Sequence, residues 1–66
     1  MDKKRKTNQV ALLGAAFYFN FIAANEDERA SARRDIDWRL RGIGATDLSR
    51  ALSIARALIA KEPSHD

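Results

Sequence analysis

The chain has 66 residues with no cysteine, a formal net charge of +3 and a pI near 9.8. That length allows one domain with a small core, and the missing cysteines exclude disulfides and thiolate metal sites, so helical packing and self-association are the routes to stability. The positive charge is local: four of the 12 Lys and Arg stand at 3–6, one of the nine acids is Asp2, and residues 7–66 hold eight of each sign.

Residues 1–6, with Lys3, Lys4, Arg5 and Lys6, therefore read as a basic N-terminal tail ahead of an electrically balanced domain over 7–62. Balance of this kind disfavours a nucleic-acid binder, whose basic footprint normally spreads over the folded surface.

From Thr7 to about Ala24 the spacing predicts a first helix. Val10, Leu13, Phe17, Phe21 and Ala24 recur at helical intervals, and so do Leu12, Ala16, Phe19 and Ala23. Leu12 is rotated about 200° from Val10 on a 3.6-residue helix, so both sides are apolar and the helix needs cover all round. The alternation of Phe17, Phe19 and Phe21 is also compatible with a strand, but the surrounding Ala and Leu favour helix. A basic start before an apolar run is also the layout of a signal peptide. Asn20 interrupts this run, no clean cleavage site follows, and its fifteen residues, 10–24, fall short of the ~20 that a membrane span requires. A buried helix of a cytoplasmic protein is the expectation, with membrane association disfavoured.

The second segment, about 26–41, opens with Asn25 as a helix cap, Glu28 three residues on, and Glu26, Asp27 and Glu28 at the positive end of the dipole. Asp35 with Arg39 and Asp37 with Arg41 form i,i+4 pairs worth about 0.2–0.5 kcal/mol each. "DIDWRLR" carries a strand-like alternation, which leaves a strand as the alternative there. On a helix Ala32, Ile36 and Leu40 share a narrow apolar stripe, and Trp38 falls outside it on the side of Arg34 and Arg41.

"GIGATD" then reads as a helix stop, a turn and a new start at Thr46 or Asp47. The last helix, about 46–61, presents Leu48, Ala51, Leu52, Ala55, Leu58 and Ile59 as one stripe with Ile54 at its border. Ala51 and Ala55 are small enough to let a neighbouring helix come close. Pro63 closes the element and 63–66 is expected to fray, taking His65 with it.

No residue pattern points to catalysis. The single histidine is terminal, the acids sit in a helix first turn or beside arginines, and "GIG" lacks the length and preceding strand of a phosphate loop. No enzyme activity, metal or other cofactor is expected.

The fold expected is all-α: a three-helix or helical-hairpin domain forming an intertwined or bundle-like homodimer. The dimer follows from burial. One chain cannot cover both faces of the first helix, and each exposed Leu, Ile or Phe forgoes about 1.5–3 kcal/mol. Leu12, Phe17, Phe19, Phe21 and Ile22 are the expected dimer contacts. Trp38 with Arg34, Arg39 and Arg41 combines the residue types enriched at interface hot spots, so it is the expected surface for an unidentified protein partner. The function this implies is that of a small interaction module, a regulator, adaptor or inhibitor of a larger protein, a description that includes inhibitors encoded by phages or plasmids.

"LRGIGATDLSRAL", Leu40 to Leu52, resembles the turn and second helix of helix-turn-helix DNA-binding domains. The resemblance implies a dimeric DNA-binding regulator in which Thr46, Ser49 and Arg50 reach the major groove and Lys3, Lys4, Arg5 and Lys6 meet phosphates. With residues 7–66 neutral, this stands second to the protein-interaction reading.

Overall fold

Helix α1, Asp2–Ile22, is built on strong helix formers and begins five residues before Thr7, so the backbone of the basic segment continues the helix. The computed structural model describes the backbone of residues 2–62 and the side chains of 7–62. The side chains of Lys3–Lys6, the expected fraying of 63–66 and His65 lie outside the described residues.

α1 stops two residues short of Ala24 although Ala23 and Ala24 favour helix. The next helix, α2, Glu26–Leu40, supplies the reason. The Asn25 Oδ1 accepts from the Glu28 backbone N–H at 2.9 Å, and the Ala24 N–H donates to Glu28 Oε1 at 3.1 Å. The first bond satisfies a donor that the start of α2 leaves orphaned, and the second uses an amide that a longer α1 would have needed. Asn25→Ala should lower stability by about 1 kcal/mol, a fall of roughly 4–8 °C in melting temperature, readable by circular dichroism.

α2 is helical through "DIDWRL", with Arg41 as its C-cap, which settles the helix-or-strand alternative in favour of helix. Asp35 and Arg39 pair at 2.9 Å as their spacing predicts. Asp37 and Arg41 do not pair among the described residues. Arg41 is the C-cap: its N–H reaches the Trp38 carbonyl at 3.4 Å, and with ψ 120° the chain leaves the helix at this residue. Gly42 follows at φ +72°, the left-handed conformation that glycine adopts without a Cβ penalty.

Helix α3, Ala45–Ala60, starts one residue before Thr46, with Gly44 as its N-cap and no side-chain cap bond. Thr46 and Asp47 consequently lie in the first turn instead of capping it.

The three helices make an all-α domain in which α1 is central. α2 returns antiparallel along one side of α1, and α3 lies along another, while α2 and α3 scarcely meet. The core is Val10, Leu13 and Ala16 of α1, Ile36 of α2 and Ala51 of α3, with Phe17, Leu40, Ile43, Leu48 and Ile54 packed around it. Leu13 is the one large side chain buried to within 2% of completeness.

Small residues let α3 approach. Ala51 and Ala55 are buried, as their one-turn spacing suggests. Their counterpart on α1 is Gly14, where an added Cβ would stand 2.7 Å from Ile54 Cγ2, 2.8 Å from Ile54 Cβ and 3.0 Å from the Ala51 carbonyl oxygen. Ile54 therefore belongs to the contact and Leu52, at 38% exposure, turns outward. The buried side of α3 is thus rotated from the stripe that counting large side chains suggests. No helix among the described residues is long and apolar enough to cross a membrane.

Candidate functional site

Among the described residues Trp38 is the most exposed large apolar residue, at 67%. It stands near the C-terminal end of α2, on the side of that helix opposite the buried Ile36. The Arg39 Cζ lies 6.0 Å from the Trp38 ring centroid, while its Nε donates to Asp35 Oδ1. The ion pair and the cation–π contact together orient the guanidinium beside the indole.

A groove of about 530 Å³ opens next to Trp38, between the end of α2, the turn and the first half of α1. Arg39, Arg41, Ile43 and Asp47 line it together with Gln9 and Val10. Trp38, Arg39 and Arg41 are therefore brought together. Arg34 is exposed one turn earlier on α2 and does not line the groove. Arg39 is the arginine on the indole, and it is neutralised by Asp35; Arg34 and Arg41 have no ion-pair partner among the described residues.

The residues expected at a dimer contact divide into two sets. Leu12, Phe19 and Ile22 are exposed at 50%, 57% and 44% and share the outer side of α1. Phe17 instead packs against the core, because its direction along α1 is that of Val10 and Leu13. Phe21 is exposed at 61%, but it lies about 160° round the helix from Phe19, so the two cannot join one interface strip. Asn20 also turns away from the outer strip. It is half-buried, with an Oδ1 that has no hydrogen-bond partner among the described residues.

Thr46, Ser49 and Arg50 are exposed at the start of α3. Ser49 and Arg50 line a second groove of about 630 Å³ with Thr7, Val10, Asp47 and Ile54. Since α1 continues through 2–6, the basic segment and the start of α3 lie toward the same end of the molecule. The packing nevertheless differs from that of a helix-turn-helix. There the two helices pack on each other, whereas here α2 and α3 each pack on α1.

Among the described residues, no group of His, Asp or Glu side chains is arranged to hold a metal ion. Compared with protein-family models, curated proteins and solved structures, the chain matches none.

The groove beside Trp38 was only partly readable from residue order. Gln9, Ile43 and Asp47 enter it because α1 passes beneath the turn, and their sequence positions carry no signal of that.

Proposed function

We propose that this chain is a non-enzymatic interaction module of the cytoplasm, a regulator, adaptor or inhibitor that binds a larger protein and acts as a homodimer. The observation that carries the reading is Trp38, an indole left two-thirds in solvent, oriented by Arg39 and bordered by a groove with Arg41. Exposing an aromatic side chain of this size forgoes the burial energy that the small core needs. Binding a partner recovers it, and indole with guanidinium in one patch is the usual composition of an interface hot spot. The unpaired Arg34 and Arg41 add the preference that the partner surface be acidic. The dimer uses the outer strip of α1, where Leu12, Phe19 and Ile22 form an exposed apolar patch.

Affinity capture with the wild-type chain, compared with Trp38→Ala and Trp38→Phe, tests the partner surface. A protein retained by wild type should be lost or weakened at least tenfold by Trp38→Ala, which removes a side chain worth about 2 kcal/mol or more at a hot spot. Trp38→Phe should keep part of the binding, and the melting temperature should stay near that of wild type because Trp38 contributes little to the core. Equal capture by all three chains would overturn the assignment.

The second reading, a DNA-binding regulator, draws support from the position of the basic segment and Arg50 toward one end of the molecule. It requires DNA affinity that falls steeply with added salt and drops on Arg50→Ala. Binding through Trp38 should change little over the same salt range.

A further inference from the structure

The exposed residues of α1 fall into a pattern that specifies how a second copy would sit. Leu12, Ala15, Phe19 and Ile22 are spaced three, four and three residues apart, the a and d spacing of a two-helix seam. Leu12, Phe19 and Ile22 are exposed and Ala15 is half-buried; Phe19 and Ile22 border a groove shared with Glu28, Ser31, Ala32 and Asp35 of α2, and about half of each large residue of the strip stays open to a second copy.

In a parallel pairing each residue meets its own copy. Phe19 would face Phe19 and Ala15 would face Ala15, giving one overfilled layer and one empty layer along a rigid helix. In an antiparallel pairing centred at the level of residue 17, Phe19 faces Ala15 and Leu12 faces Ile22. Every layer then holds the same number of side-chain carbons, since Leu with Ile equals Ala with Phe. Of these two pairings the antiparallel one fills its layers evenly, and it uses the same patch on both copies as a two-fold interface requires.

Charge points to the same arrangement independently. The antiparallel register carries segment 3–6 of one copy past Ile22 of the other, toward the end of that copy where residues 23–25 turn and α2 begins. Lys3, Lys4, Arg5 and Lys6 belong to the first segment, and Glu26, Asp27 and Glu28 to the second. Asp27 has no ion-pair partner among the described residues. In a parallel pair the four basic residues of the two copies would lie together and repel.

We infer that α1 pairs with α1 of a second copy, antiparallel about a two-fold axis at the level of residue 17, with the basic start of each α1 lying on the acidic first turn of the partner's α2. The inference rests on the homodimer proposed above and fixes its register.

The absence of native cysteine makes disulfide trapping clean. Leu12→Cys and Ile22→Cys are prepared as separate chains, checked for helical content, mixed and mildly oxidised. The mixture should give a covalent heterodimer. Each variant alone should give almost none, because in this register the thiol introduced by Leu12→Cys sits about 15 Å along the axis from its own equivalent, beyond the ~7 Å Cα separation that a disulfide tolerates. Cross-linking of Leu12→Cys alone would overturn the register in favour of a parallel pair.

Light scattering on the wild-type chain separates the two levels of failure. A dimeric mass without the mixed cross-link overturns the register and leaves the dimer, while a monomeric mass overturns both. Asp27→Lys at low ionic strength should weaken the dimer roughly tenfold, counting both symmetric contacts, and an unchanged dissociation constant would overturn the charge pairing.

Discussion

Leu13→Ala should remove about half or more of the protein's stability at 25 °C. Leu13 is 1% exposed and sits where α1 meets the core residues of both other helices, Ile36 and Ala51. Truncating a buried leucine costs about 2–5 kcal/mol, from lost burial and from the cavity left behind. A chain of this length has a total stability of roughly 3–10 kcal/mol, and few other large side chains could collapse into the gap. Urea unfolding followed by circular dichroism should show a transition that is absent or shifted far toward zero denaturant. A midpoint within a few tenths molar of wild type would show that the central helix does not depend on this contact. Both proteins must be compared at one concentration, because association adds to the apparent stability of a dimer.

Gly14→Val should be as damaging by the opposite route. Glycine in mid-helix ordinarily costs about 1 kcal/mol relative to alanine, so helix propensity alone recommends replacing it. The packing reverses that sign. The first added carbon already lies 2.7 Å and 2.8 Å from Ile54 Cγ2 and Cβ, and 3.0 Å from the backbone oxygen of Ala51. Ile54 is β-branched and stiff, and the carbonyl cannot move without shifting α3. Overpacking of this kind costs about 1–3 kcal/mol for modest insertions. Gly14→Ala should therefore be destabilised by about 1–2 kcal/mol, and Gly14→Val should separate α3 from α1 and remove most cooperative unfolding. In the double variant Gly14→Ala with Ile54→Ala, the loss should be smaller than the sum of the single losses, since the second change removes the obstacle created by the first. Additive losses would place the cost of Gly14→Ala outside the Ile54 contact.

The helical class was readable because it is written locally. Spacing of apolar residues marked α1 and α3, and Asn25 with Glu28 marked the start of α2: the Asn25 cap bond is present, while the Glu28 carboxylate reaches back one residue further, to the Ala24 N–H. Asp35 and Arg39, both within a helix, met as their spacing implied. Asp37 and Arg41, the second of which is the C-cap, did not.

Sequence alone determined that α1 is apolar on more than one side, that Ala51 and Ala55 would admit a close neighbour, and that an indole would be left off the stripe of Ile36. Each follows from side-chain type and a fixed angular step of about 100° per residue. The tertiary structure decided which of α1's sides is covered. It packed Phe17 against the core and left Phe21 outside, chose Ile54 over Leu52 for the approach to Gly14, and brought Gln9, Ile43 and Asp47 beside Trp38. Periodicity gives the direction of a side chain about its own axis, but not the height and angle at which another helix crosses it. Those are set by where backbones can come closest, and in this chain that place is a glycine.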